Sequence, residues 1–276
     1  MLYAIIKGLK LSYIIQGNGF PIIFIHGYGG DKEFWKPQIV ELSKFYKTIA
    51  FDLRGTGESD RPNIPYTMNM LVDDIKGLMD FLKLSKAHII GRSFGGMIAQ
   101  NFVIKYPNQV DKLILIATNY GKPTTDWVDL IRENNLKNLK LLNEDPYQAF
   151  KQQARLVYHV NFRKEMEQNP RKKFFNLFSM EDLIKKSTIN PPREQDVINQ
   201  AEAMKTHYTL DKLSEISTPT LLIAASHDRL IPLSIMEEIH DLLPNSILRV
   251  IENSGHYMTL SDAPEVNKVI LNFLRN

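Results

Sequence analysis

Three side chains far apart in this sequence, Ser93, Asp228 and His256, have the types that acyl-transfer chemistry needs. Ser93 stands in Gly91-Arg92-Ser93-Phe94-Gly95, with an apolar run before it and an amphipathic run after it, so the serine falls on a sharp turn between a strand and a helix. Glycines two residues to either side relieve crowding where strand and helix approach, and Gly96 lets the helix pack close. A serine on such a turn is raised above the sheet at the positive end of a helix, where an anionic intermediate is stabilised. Its hydroxyl is a poor nucleophile until a base within hydrogen-bond reach removes the proton.

Among the seven histidines, His256 is the candidate base. It follows the last apolar run and precedes the terminal helix, in Asn253-Ser254-Gly255-His256, a position from which it can return to the mouth of the sheet. His88 falls inside a strand pattern, His159, His207 and His240 fall on helical or inserted patterns, and His26 ends a strand. A base of this kind needs a carboxylate to fix its tautomer and to stabilise the imidazolium that forms. Asp228, in Ser226-His227-Asp228-Arg229-Leu230-Ile231-Pro232, follows a strand pattern and lies between Ser93 and His256. The alternative place for the acid, after the strand that follows the nucleophile helix, holds Thr118 and Asn119, and neither carries a charge. Asp52, in a glycine-containing loop ahead of the serine, is assigned to loop structure.

The tetrahedral intermediate requires two convergent backbone N–H groups. Phe94, the residue after the nucleophile, supplies one. Tyr28 supplies the other, because His26-Gly27-Tyr28-Gly29-Gly30 ends the first long strand and its glycines let the loop fold back toward Ser93.

The elements that must position these residues can be read from periodicity. Apolar β-branched runs at 21–25, 48–51, 87–90, 113–116, 220–224 and 247–251 read as strands. Helical patterns at about 33–44, 70–84, 95–105 and the C-terminus lie between or after them. Near-continuous apolar strands separated by helices imply a parallel sheet covered on both faces. The rhythm stops after Ala117, and helical patterns rich in aromatics, among them Trp127, Phe150, Tyr158, Phe162, Phe174, Phe175 and Phe178, run to about Tyr208. The expected organisation is a core of residues 1–118 and 209–276 with a helical cap inserted at 119–208.

Composition narrows the function classes. A chain of 276 residues with 43% apolar content fills one α/β domain with an insertion. A net charge of +3 argues against a nucleic-acid partner, and without cysteine there is no disulfide framework and no thiolate nucleophile. Neither a secretory signal nor a membrane-length apolar run is visible, so a soluble cytoplasmic protein is expected. No cofactor or metal is called for, the expected partner is a small ester-like molecule, and the oligomeric state is not readable.

Taken together, His26-Gly27-Tyr28-Gly29, Asp52-Leu53-Arg54-Gly55-Thr56-Gly57-Glu58-Ser59, Gly91-Arg92-Ser93-Phe94-Gly95-Gly96, Asp228 before Pro232, and Gly255-His256 resemble the α/β-hydrolase superfamily. The resemblance is nearest to a group of small esterases, enol-lactonases, carbon–carbon bond hydrolases, cofactor-free haloperoxidases and epoxide hydrolases. It covers the chain outside the inserted segment. It implies an eight-stranded, mostly parallel sheet with a lid between the sixth and seventh strands, and a Ser-His-Asp triad acting through an acyl-enzyme. Ala225 departs from the glycine that relatives often place three residues before the acid. A serine at 93 separates the chain from branches that use aspartate there. A small carboxylic ester is the expected substrate. Lactone, carbon–carbon and perhydrolase chemistry, or a non-catalytic ligand-binding role on the same fold, stay open at this point.

Overall fold

The computed structural model describes residues 2–121 and 126–276. In chain order the elements are β1 (Leu2–Ile6), β2 (Leu9–Gln16), β3 (Pro21–Ile25), α1 (Lys36–Leu42), β4 (Lys47–Phe51), α2 (Met68–Phe81), β5 (Ala87–Arg92), α3 (Phe94–Lys105) and β6 (Val110–Ile116). There follow α4 (Asp126–Glu144), α5 (Pro146–Val157), α6 (Val160–Gln168), α7 (Met180–Ser187) and α8 (Glu194–Lys205). The chain ends with β7 (Thr220–Ala225), α9 (Leu233–Leu242), β8 (Ser246–Ile251), α10 (Met258–Ser261) and α11 (Ala263–Arg275). The eight strands form a sheet in the order β1-β2-β4-β3-β5-β6-β7-β8, in which β2 is antiparallel to both neighbours and the other pairings are parallel.

The continuous apolar runs have a direct structural cause. Ile23, Ile25, Ile89, Leu113, Leu115 and Leu222 pack into one core with α2, α3 and α9, while Ile22, Phe24, Ile90, Ile114, Ile116 and Leu221 pack into a second core with α1 and α11. Successive strand residues point to opposite faces, and here both faces are covered, so most positions are apolar. Each of these side chains is 1% exposed or less, which places the full transfer free energy of the sheet's interior in two layers of helix.

The eight-stranded, mostly parallel sheet matches expectation, as do the six strands read from periodicity. The hairpin β1–β2 does not appear in that reading. Its turn is Lys7-Gly8, with φ of +50° and +84°, and lysine at the first position hides a two-residue turn usually marked by asparagine or aspartate. Helix α9, in a stretch left unassigned between the last two strands, follows Pro232. The helices α4 to α8 stand between β6 and β7, within the expected insertion, whose residues 122–125 lie outside the described residues.

That insertion has a small core of its own. Tyr158, Met166, Phe174, Phe178 and Met180 cluster there, and Phe34, Tyr257 and Leu260 of the sheet domain join them. A buried ion pair adds a polar fastening: Arg61 Nη1 donates to Asp196 Oδ2 on α8 at 2.6 Å, and Arg61 Nη2 donates to the Gly57 carbonyl at 2.9 Å. No helix among the described residues is long and apolar enough to cross a membrane.

Two buried histidines make stability depend on pH. His207 takes a hydrogen bond from Asn101 on Nδ1 (2.8 Å) and donates from Nε2 to the Asn119 carbonyl (3.0 Å), and burial pushes its pKa down to about 4. Burial also pushes His88 down to about 4, against the pull of Asp111. Above the ordinary histidine value of about 6.5 both rings are neutral whether the chain is folded or unfolded. Below it the unfolded chain binds protons that the folded chain refuses until about pH 4, so each ring removes about 1.4 kcal/mol of stability per pH unit across that window. The urea midpoint is therefore expected to fall between pH 7 and pH 5, and His207→Gln to reduce the fall. Equal midpoints for the wild type at the two pH values would contradict the assignment.

Candidate active site

Strand β5 gives way to helix α3 with Ser93 as the single connecting residue. Such a reversal puts Ser93 at φ +54° and ψ −120°, a backbone region that costs a non-glycine residue about 1–3 kcal/mol. Hydrogen bonds on every side hold it there. Its N–H donates to the Ile116 carbonyl (2.9 Å), and its carbonyl accepts from Gly96 N (2.8 Å), Met97 N (3.1 Å) and Thr118 Oγ1 (2.8 Å). The flanking glycines are required by space: a Cβ on Gly91 would lie 2.3 Å from the Gly95 carbonyl oxygen, and one on Gly95 would lie 2.1 Å from that of Ile25. The Phe94 amide opens α3 and so precedes the first intrahelical hydrogen bond.

The loop after β3 comes to the same place. A side chain on Gly27 would reach within 3.4 Å of Ser93 Cβ, and the Tyr28 and Phe94 rings meet edge to face at 6.2 Å. What aims the Tyr28 amide is His26, wholly buried beneath the loop. Leu53 N–H donates to His26 Nε2 (3.1 Å), so that nitrogen carries no proton and Nδ1–H donates to the Gly27 carbonyl (2.8 Å). Gly30 N–H reinforces the same carbonyl at 3.1 Å. In a trans peptide the C=O and N–H point in opposite directions, so a Gly27 carbonyl pulled down onto His26 turns the Tyr28 N–H away from it. Burial lowers the His26 pKa, which keeps the ring in the neutral form this bonding requires. Asp52, also wholly buried, organises the neighbouring loop: Oδ1 accepts from Lys32 N (2.8 Å), and Oδ2 accepts from Lys32 Nζ (2.6 Å) and Glu58 N (2.9 Å). Its assignment to loop structure holds.

Asp228 and His256 follow β7 and β8, which are parallel neighbours, and so emerge side by side at the C-terminal edge of the sheet. His256 Nδ1 and Asp228 Oδ2 are 2.7 Å apart, with both side chains buried. The other carboxylate oxygen accepts from the amides of Leu230 (2.8 Å) and Ile231 (2.9 Å). A carboxylate held on both oxygens can orient an imidazole and leave Nε2 as its basic nitrogen. Arg92, next to the serine, donates from Nη1 to the His256 backbone carbonyl at 3.4 Å, a link between the two loops. Among the described residues no hydrogen bond joins Ser93 Oγ to His256 Nε2; bonds of this kind are often long before substrate binds and tighten with it.

The inserted helices grip this edge at two points. Tyr28 Oη donates to the Val197 carbonyl of α8 (2.6 Å), and Gly29 N–H donates to Gln200 Oε1 (3.1 Å). On the far side Tyr257 N–H donates to the Val157 carbonyl at the end of α5 (2.9 Å). A groove of about 670 Å³ beside the β1–β2 turn, lined by Lys7, Arg54, Arg61 and Asp74, contains none of Ser93, Asp228 and His256.

The family described as the alpha/beta hydrolase fold matches residues 21–263. The chain belongs to that family. A protein of Caulobacter sp. strain K31 assigned as the carbamate hydrolase RutD is 28% identical over 261 residues, 92% of this chain and 90% of that protein. Among solved structures, the enol-lactonase of Burkholderia xenovorans LB400 superposes with a TM-score of 0.84 at 22% identity, covering all of both chains. A thermophilic esterase of Thermogutta terrifontis, determined with malate bound, superposes at 0.83 with 25% identity, covering 99% of this chain and 97% of that one.

Several supporting residues escape a reading of the sequence alone. Gln200 and Val197 meet the Tyr28 loop across about 170 positions, with no local pattern to announce them. The role of His26 was half visible, since a histidine opening a glycine loop is in plain view, but its tautomer depends on Leu53. On the expectation that the Tyr28 amide receives an oxyanion, His26→Leu lowers kcat on a short p-nitrophenyl ester by about a hundredfold while changing KM far less, because that amide is no longer aimed. An unchanged kcat in steady-state kinetics would remove His26 from the site.

Proposed function

We propose that this α/β-hydrolase is a serine enzyme that cleaves a small carboxylic ester through an acyl-enzyme, with Ser93 as nucleophile, His256 as base and Asp228 as the acid. The observation that carries the reading is the Asp228–His256 pair, bonded at 2.7 Å and attached by Arg92 to a serine in a left-handed turn. In this scheme His256 Nε2 takes the hydroxyl proton as Ser93 Oγ attacks the carbonyl carbon, and Asp228 stabilises the imidazolium. The carbonyl oxygen becomes an oxyanion that accepts from the Tyr28 and Phe94 amides, at the positive end of α3. His256 returns its proton to the leaving alkoxide, and a water activated by the same ring releases the acid.

The inserted helices act as a cap in this reading, with residues 1–118 and 209–276 as the catalytic core. The tethers from α8 to the Tyr28 loop and from α5 to the His256 loop support that role. Esters, lactones and carbamates are all acyl compounds that one serine mechanism can open, and the esterase and enol-lactonase folds above share this chain's layout. An ester is the form we favour.

Ser93→Ala is expected to lower hydrolysis of p-nitrophenyl butyrate by about a millionfold in kcat and to abolish labelling by a fluorophosphonate probe. Asp228→Asn should cost about ten-thousandfold, because the imidazole loses its tautomer. A wild-type protein that takes no label is a binding protein on this fold, and strong turnover by Ser93→Ala would move the nucleophile elsewhere.

A further inference from the structure

Arg92 is a buried cation that pairs with no carboxylate among the described residues. It is the last residue of β5, directly before Ser93, with 3% of its surface exposed. Its guanidinium is packed between the rings of Phe34 and Tyr257, 4.2 and 4.5 Å from their centroids. The rings attract the charge and cover its flat faces, but they do little for N–H groups that point out along its edges.

Those edges are poorly satisfied. Nη1 reaches the His256 carbonyl at a long 3.4 Å, and Nε is buried with no partner. The Tyr257 hydroxyl also hydrogen-bonds the guanidinium, and a hydroxyl is not the planar two-oxygen partner that the fork fits. Among the described residues no carboxylate lies within ion-pair distance of Arg92. Asp228 attracts it through space, yet both Asp228 oxygens are already engaged by His256, Leu230 and Ile231. Loss of water pushes the Arg92 pKa below its ordinary value, the sign of a charge held at a cost. Isolated buried charges are rare because they are expensive, and an arginine is the side chain whose planar fork fits a carboxylate.

The position of the guanidinium says where such an anion would sit. A Cβ built on Gly27 would lie 2.7 Å from Arg92 Nη2 and 3.4 Å from Ser93 Cβ, so the arginine's edge and the nucleophile flank the same glycine. A substrate whose carbonyl is at Ser93 has its next few atoms beside Arg92.

We propose that Arg92 forms an anion subsite that pairs with a carboxylate on the acyl chain of the substrate, close to the carbonyl that reacts. This rests on the serine-hydrolase reading and narrows its substrate to carboxylate-bearing acyl groups. Nη2, the edge of the guanidinium that faces Gly27 and Ser93, is the donor such a carboxylate would meet.

The test compares monoethyl succinate with ethyl pentanoate, a neutral ester of similar length, in a pH-stat. The wild type should favour the succinate ester by about tenfold or more in kcat/KM, and Arg92→Met should lose that preference. The ratio is measured within one preparation, so a smaller folded fraction cancels. Succinate titrated calorimetrically into the wild type and into Ser93→Ala should bind, whereas succinamide should not, and this arm stands even where Arg92→Met does not fold. Equal kcat/KM for the two esters, a preference that survives in Arg92→Met, or no binding of succinate overturns the proposal. Failure to hydrolyse either ester while succinate still binds and discriminates would instead overturn the serine reading and leave the anion site in place.

Discussion

The left-handed backbone of Ser93 is the constraint around which this fold is arranged. A buried parallel strand runs straight into a helix that must pack back on the sheet, and a single residue has to make the reversal. That geometry lifts one hydroxyl clear of the sheet and leaves the first amide of α3 free beside it. It is tolerated because the surroundings over-determine it. Ile116 and Thr118 of the adjacent strand and the first turn of α3 all bind the Ser93 backbone, and glycine at 91 and 95 removes the side chains that would collide there.

The sheet order then does the work of assembly. Loops leaving β3, β5, β7 and β8 all emerge at the C-terminal ends of parallel strands, the edge at which such sheets present ligand sites. Adjacency of β7 and β8 brings acid and imidazole together, and adjacency of β3 and β5 brings the glycine loop to the serine. Each loop is fastened by a different buried polar group: Asp52 for the loop after β4, His26 for the glycine loop, Asp228 for the imidazole. Because each group has its partners satisfied within hydrogen-bond distance, the edge is stiff where chemistry would require it.

Much of this was legible before any coordinates. Strands β3 to β7 announce themselves because they are largely buried on both faces, which leaves an apolar signature that periodicity can detect, whereas the edge strand β8 shows through its β-branched run alone. The three side chains of the candidate triad stand out because glycine, serine, aspartate and histidine are punctuation against that background. The hairpin at the N-terminus was missed because its strands are partly exposed and its turn begins with lysine. Of the aromatics that mark the insertion, Tyr158, Phe174 and Phe178 belong to a core. Contacts such as Gln200 to Gly29 were beyond reach, since a single glutamine on a helix carries no mark of what it will meet 171 residues away.

The hydrogen bonds from α8 to Tyr28 and Gly29 tie the roof of the site to its reactive floor. Both bonds reach one short loop, so any displacement of α8 would take two anchors from it at once. Under the proposed serine reading, seating that helix and aligning the Tyr28 amide are then a single event.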